Sequence, residues 1–130
     1  MKLLVGYDGS NSAKAALALA VEHAKAFNAA IDVVSSMETG TNEETEKIRL
    51  NENNLKEIET QLKAKGIDVQ THLLIRGMRA GEDLINYAKD NGANGIYIGV
   101  KRRSKVGKLL FGSNATYIIL NAPCPVTTVR

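Results

Sequence analysis

The chain has 130 residues, 44% of them hydrophobic and 24% charged, with a net charge of +3. These values are typical of one soluble domain over residues 1–130. No apolar run approaches the roughly 20 residues of a membrane-spanning helix, so no membrane partner is expected. One cysteine, Cys124, excludes an internal disulfide, and the apolar start runs too soon into Asp8 for a signal peptide; both indicate the cytoplasm.

The positive charge is concentrated in one segment, which carries Lys101, Arg102, Arg103, Lys105 and Lys108. Without these cations the chain is net acidic. A nucleic-acid-binding protein usually spreads its basic residues over a face or along a helix, and aromatic residues for base stacking are scarce here. The charge pattern therefore predicts binding of a compact anion and no nucleic-acid partner.

The hydrophobic pattern predicts strands that alternate with helices along the chain. We expect strands over 2–7, 31–36, 68–75, 96–98 and 126–129, and helices from the caps at 10–12 to residue 27 and over 43–65, 80–91 and 112–121. The spacing places Phe27 on the apolar face of the first helix and Ile119 on that of the last. Such alternation favours right-handed crossovers and a parallel sheet with helices on both faces, which is an α/β fold.

The segment after the fourth strand is typical of an anion site. A strand leads through Gly99 into the basic segment, and Gly112-Ser113 opens the next helix. The free N–H groups and the positive dipole end of a helix N-terminus favour a phosphate. The P-loop and GxGxxG patterns are absent, which argues against a P-loop NTPase and a conventional dinucleotide-binding dehydrogenase. The alternative is a solvated loop that only connects strand to helix.

Several stretches together resemble the universal stress protein family. They are the first-strand end Tyr7-Asp8-Gly9-Ser10, IRGMRAGEDL (75–84), GANGIYIG (92–99), the segment from Gly99 to Ser113 and NAPCPVTTV (121–129). The resemblance implies a Rossmann-like, flavodoxin-like sandwich with a five-stranded parallel sheet of order 3-2-1-4-5. It also implies that the chain binds ATP or another adenine nucleotide, with or without Mg²⁺, and forms a homodimer.

The nucleotide-binding members share a loop pattern that falls on Gly99, Arg102, Gly112 and Ser113 in this chain. Arg102 departs from it, because the pattern has its second glycine there. An arginine would either block the close approach of the backbone to the ligand or replace that contact with a charge-assisted hydrogen bond. The nucleotide-binding residues implied by the resemblance are Tyr7, Asp8, Ser36, Gly99, Arg102, Arg103, Gly112, Ser113 and Asn114.

Two of these residues have alternative roles. Asp8 would face the ribose, or a metal carried by the phosphates, or else cap the first helix together with Ser10. Ser36 would offer backbone groups to an adenine edge, or simply end the second strand. The phosphates would lie against the N–H groups of 112–114.

The family's dimer implies an interface at the last strand, formed by Val126, Thr127, Thr128 and Val129. We find neither a catalytic constellation nor a set of metal ligands in the sequence. The first hypothesis is therefore a nucleotide-binding regulatory module of the stress response, with little or no hydrolysis. The second is a dimerising module that binds no nucleotide and acts through protein partners. The third is an enzyme, such as a phosphatase or a flavin-dependent reductase.

Overall fold

The structure, a computed structural model, describes residues 1–38, 45–101 and 112–130. Within these ranges no helix combines the length and the apolarity needed to cross a membrane. The elements in chain order are β1 (Lys2–Gly6), α1 (Asn11–Phe27), β2 (Ala30–Met37), α2 (Thr45–Ala64), β3 (Val69–Ile75), α3 (Ala80–Asn91), β4 (Gly95–Gly99), α4 (Ser113–Asn121) and β5 (Val126–Val129).

The five strands form one sheet in the order β3-β2-β1-β4-β5. All four neighbouring pairs are parallel. The predicted α/β fold and strand order are thus confirmed. From β1 the chain adds β2 and β3 on one side, and it then crosses over to add β4 and β5 on the other. In such sheets the ligand binds outside the carboxyl ends of the two strands where the order reverses, which are β1 and β4 here.

The sheet has a separate hydrophobic core on each face. Because side chains alternate along a strand, β1 directs Leu3 and Val5 to the α1 and α2 side and Leu4 to the α3 and α4 side. This explains why β1 is almost continuously apolar. The buried face of α1 is mostly alanine, which lets the helix lie close to the sheet; its buried residues are Ala13, Ala16, Ala20, Val21 and Ala24.

Two side chains that the spacing assigned to apolar faces are largely exposed. Phe27, the last residue of α1, is 59% exposed, and its ring centroid lies 5.8 Å from that of His23. Ile119 is 40% exposed, because α4 buries the preceding residue, Ile118, and one residue further turns the helix away from the sheet. β4 is longer than predicted, since pairing with β1 and β5 extends it over both flanking glycines.

A buried carboxylate, Asp32, joins β2 to α3. It accepts a hydrogen bond of 3.0 Å from the Tyr87 hydroxyl, and Lys2 Nζ lies 3.8 Å from the same oxygen. Burial, and then the Asp32 carboxylate, raise the pKa of Tyr87. A carboxylate in a strand covered on both faces thus has the partners that its burial requires.

Candidate functional site

An apolar cavity of about 210 Å³ opens at the carboxyl end of the sheet, where β1 and β4 end. Its walls come from the strand ends, from the first turns of α1 and α3, and from α4. The residues that line it are Gly6, Tyr7, Asp8, Ala13, Val34, Ser36, Ala80, Gly81, Leu84, Ile98, Gly99, Asn114, Ala115 and Ile118.

A polar cavity of about 290 Å³ adjoins the apolar one. The two cavities share four lining residues: Asp8, Gly99, Asn114 and Ala115. The polar cavity is further lined by Ser12, Val100, Lys101, Gly112 and Ser113. An apolar recess beside a polar recess at a helix N-terminus can hold a ligand with one flat apolar part and one anionic part.

Asp8 lies at the boundary of the two cavities and also organises the start of α1. Its Oδ1 accepts a hydrogen bond of 2.9 Å from the backbone N–H of Ser10. Ser10 is in turn the N-cap, and its hydroxyl accepts from the N–H of Ala13 at 3.2 Å. The two roles considered for Asp8 are therefore compatible, because the carboxylate supports the cap and still lines both cavities.

Gly99 is required by the packing of β4 against α1. A Cβ at this position would lie 2.4 Å from the backbone carbon of Ser12 and 2.5 Å from the backbone nitrogen of Ala13. Any side chain would therefore push α1 away from the strand. The glycine therefore brings the first turn of α1 close to the cavities.

The N-terminus of α4 faces the polar cavity with Gly112 as its N-cap. A glycine has no side chain with which to cap the first N–H groups of the helix. Asn114 on this turn caps the neighbouring helix instead, because its Oδ1 accepts a hydrogen bond of 2.9 Å from the N–H of Gly81 in α3. The first turn of α4 thus contains the predicted backbone donors at 112–114. It also contains the side chain that caps α3.

Ser36 lines the apolar cavity, and its side chain is bound to a residue that the sequence analysis missed. The Ser36 hydroxyl donates a hydrogen bond of 2.7 Å to Oδ2 of Asp83, which is fully buried and also pairs with Arg76. The position of Asp83 in the sequence could have indicated that it has a partner. It lies four residues before Tyr87 and next to Leu84 on the buried face of α3, where an unpaired carboxylate would be costly.

Tyr7 follows β1 and lines the apolar cavity. Its backbone N–H donates to the carbonyl of Val34 at 2.9 Å, and its carbonyl accepts from the Ser35 hydroxyl at 2.6 Å. These bonds hold the chain in sheet geometry past the end of the strand. Burial, and to a lesser degree the Asp8 carboxylate, raise the pKa of the Tyr7 phenol.

The remaining predicted residues fall into two groups. Arg102 and Arg103 lie outside the described residues, whereas Lys101 from the same basic segment lines the polar cavity.

The predicted interface residues 126–129 form β5, which pairs with β4 at the sheet edge. In the described parts of the chain, no three His, Cys, Asp or Glu side chains form a cluster that could hold a metal ion.

The model of the universal stress protein family matches residues 1–130. The chain belongs to this family. A universal stress protein from Thermus aquaticus is 33% identical over 135 residues, which cover 98% of this chain and 97% of that protein.

Two solved structures of universal stress proteins from Archaeoglobus fulgidus are similar to this chain in fold. A universal stress protein from this organism superposes with a TM-score of 0.87 at 32% identity, covering 100% of this chain and 98% of that one. A universal stress protein in complex with dAMP gives a TM-score of 0.82 at 28% identity, with the same coverage. The arrangement of strands and helices described above is therefore that of the family.

Proposed function

We propose that this universal stress protein binds an adenine nucleotide and acts as a regulatory module of the stress response rather than as an enzyme. The base would occupy the apolar cavity, and the phosphates the polar cavity. The observation that carries the proposal is the junction of the two cavities at Asp8, Gly99, Asn114 and Ala115. At this junction a ribose would link a buried base to phosphates at a helix N-terminus.

The wall of the apolar cavity suits a nucleobase. Val34, Leu84 and Ile98 present hydrocarbon to it, and the two faces of a base gain free energy when they leave water for such surroundings. The relative from Archaeoglobus fulgidus in complex with dAMP, aligned over 100% of this chain, supports an adenine base.

The polar cavity suits the phosphates. The uncapped first turn of α4 offers backbone N–H groups, and the Lys101 side chain adds a cation at the same cavity. ATP and a shorter adenine nucleotide are both candidate ligands. Asp8 would accept a hydrogen bond from the ribose or bind Mg²⁺ carried by the phosphates.

The side chains at the cavities support a binding role without rapid hydrolysis. Among their described lining residues, Asp8 is the single carboxylate and no histidine is present. Asp8 already accepts a backbone hydrogen bond, which weakens it as a general base for an attacking water. We expect release of phosphate from ATP to be slow or undetectable.

Isothermal titration with AMP and ATP tests the binding site directly. A Cβ on Gly112 meets no atom within 4 Å, so Gly112→Val should fold normally while its methyl groups cover the first N–H groups of α4. We expect at least about a tenfold loss of affinity for both nucleotides, which corresponds to about 1.4 kcal/mol. Thr116→Val, on the same helix but lining neither cavity, is the matched control and should bind as the wild type does.

The same experiment decides between the two leading hypotheses. If the wild type binds neither nucleotide, and heating the purified protein releases none, then the proposed function fails and the second hypothesis, a module that acts through protein partners, is favoured over it. Equal affinity in the wild type and Gly112→Val would exclude the N-terminus of α4 as the phosphate site.

A further inference from the structure

A fully buried carboxylate lies behind the apolar cavity and connects three elements. Asp83 belongs to the first turn of α3, and its Oδ1 is paired with the guanidinium of Arg76 from the loop after β3. Its Oδ2 accepts a hydrogen bond from the hydroxyl of Ser36 in β2. Both carboxylate oxygens therefore have partners.

This arrangement determines what Ser36 can offer to a ligand. A hydroxyl has one proton to donate and two lone pairs with which to accept. A carboxylate paired with an arginine can only accept, so the Ser36 proton is committed to Asp83. Toward the cavity, which Ser36 lines, the hydroxyl can act only as a hydrogen-bond acceptor.

We propose that Ser36, oriented by Asp83, selects a 6-amino purine over a 6-oxo purine in the apolar cavity. This inference rests on the proposed function. The exocyclic amino group of adenine is a donor and complements the Ser36 oxygen. A 6-oxo purine would place its carbonyl oxygen against that acceptor, beside the hydrocarbon of Val34 and Leu84, so two partially negative atoms would face each other without a proton.

Arg76 has a positioning role in this scheme. Its Nη2 also donates to the backbone carbonyl of Asp83, at 3.1 Å, in addition to its pairing with the carboxylate. It therefore holds the carboxylate in the orientation that accepts the hydrogen bond from Ser36. The charge of Arg76 is thus paired with Asp83 in the folded protein.

The test compares three nucleotides: AMP, IMP and purine riboside 5′-monophosphate, which has no group at position 6. Dissociation constants are measured for the wild type, Ser36→Ala and Asp83→Asn. We expect the wild type to bind AMP about tenfold more tightly than purine riboside 5′-monophosphate, which lacks one hydrogen bond, and to bind IMP no more tightly than that analogue. In Ser36→Ala the three affinities should become nearly equal.

Asp83→Asn tests the direction of the Ser36 proton. An asparagine that keeps its oxygen toward Arg76 would donate from its amide nitrogen to Ser36, which frees the hydroxyl to donate to the ligand. The preference for AMP over IMP should then shrink or reverse. Asp32→Asn is the matched control, because it neutralises a second buried carboxylate on the same sheet face that lines neither cavity; it should keep the wild-type ratio.

The outcomes separate this inference from the proposed function. If AMP binds and Ser36→Ala keeps the wild-type ratio of AMP to IMP affinity, Ser36 does not select the base, although the nucleotide site stands. If AMP does not bind to the wild type, the proposed function fails and this inference fails with it. Ser36→Ala decides the result even if Asp83→Asn does not fold, because it leaves the pairing of Asp83 with Arg76 in place.

Discussion

At the scale of single residues, three polar side chains at the two cavities are already hydrogen-bonded within the protein. Asp8 binds the N-cap of α1, Ser36 binds Asp83, and Asn114 binds the N-terminus of α3. Such bonds hold the groups in place before a ligand arrives, which lowers the entropic cost of binding. They also mean that a substitution here changes stability and binding together, so test variants must separate the two.

Asp8 allows this separation. Asp8→Asn keeps an oxygen that can accept from the N–H of Ser10, whereas Asp8→Ala removes it. In urea unfolding we expect Asp8→Asn to match the wild type and Asp8→Ala to lose about 0.5–1 kcal/mol, as for other lost helix caps.

Titration of the same proteins with AMP in the absence of Mg²⁺ then reports on the ribose. If Asp8 accepts from a ribose hydroxyl, affinity should fall in Asp8→Ala and remain in Asp8→Asn. A loss confined to ATP in the presence of Mg²⁺, seen in both variants, would instead assign Asp8 to the metal. Equal affinity of all three proteins under both conditions would remove Asp8 from the site.

At the scale of elements, the site is built where three helix N-termini meet the ends of β1 and β4. Close backbone contacts at two glycines make this possible. Gly99 lies against the first turn of α1, and a Cβ on Gly81 of α3 would come within 2.8 Å of the Asn114 carbonyl oxygen in α4. Both contacts involve backbone atoms, which cannot rotate out of the way as a side chain can. The spacing of the helices around the cavities therefore depends on these two positions.

Gly99→Ala tests this dependence. Its methyl group would overlap backbone atoms of Ser12 and Ala13, so β4 and α1 must separate. We expect a loss of about 1–3 kcal/mol in the free energy of unfolding, measured in urea. Gly112→Ala, where a Cβ meets open space, is the control and should remain within about 0.5 kcal/mol of the wild type. Wild-type stability of Gly99→Ala would contradict the packing role.

At the scale of the whole molecule, β3 and β5 are the two edges of the sheet. The carbonyls of Pro125, just before β5, and of Val129 accept hydrogen bonds from the N–H groups of Ile96 and Val100. The N–H and C=O groups of one residue point to the same side of a strand, and those of the next residue point to the other side. The N–H and C=O groups of Val126 and Thr128 therefore face away from the sheet. A free edge of this kind favours pairing with a second copy of the chain. We propose that the chain forms a homodimer through β5.

Thr128→Pro tests the dimer without damage to the sheet. The substitution removes an N–H that faces outward, while β5 keeps its bonds to β4. We expect light scattering to show a dimer for the wild type and a monomer for Thr128→Pro. Thr128→Val keeps the N–H and should stay dimeric. Val129 is less suitable for this purpose, since it also packs against the core on the α1 side. A dimeric Thr128→Pro would exclude β5 as the interface.

The order and type of the elements could be predicted from the sequence. A strand buried on both faces must be apolar throughout, and a helix on a sheet must repeat its apolar residues every three to four positions; β1 and α1 show these two patterns. The family resemblance added the strand order, which the structure confirms. The ends of elements were predicted less well, because tertiary pairing extends β4 over glycines with little strand propensity of their own.

Sequence patterns predict the α/β fold, and they place Asp8, Ser36 and the turn at 112–114 at the carboxyl end of the sheet, because parallel strands bring their carboxyl ends together. The partners of those residues become visible only once the elements are packed. The contacts of Asp83 with Ser36 and of Asn114 with Gly81 join residues on different elements that are 47 and 33 positions apart in the chain. Such contacts depend on the distance and rotation between packed elements. No local pattern of residues encodes these two quantities.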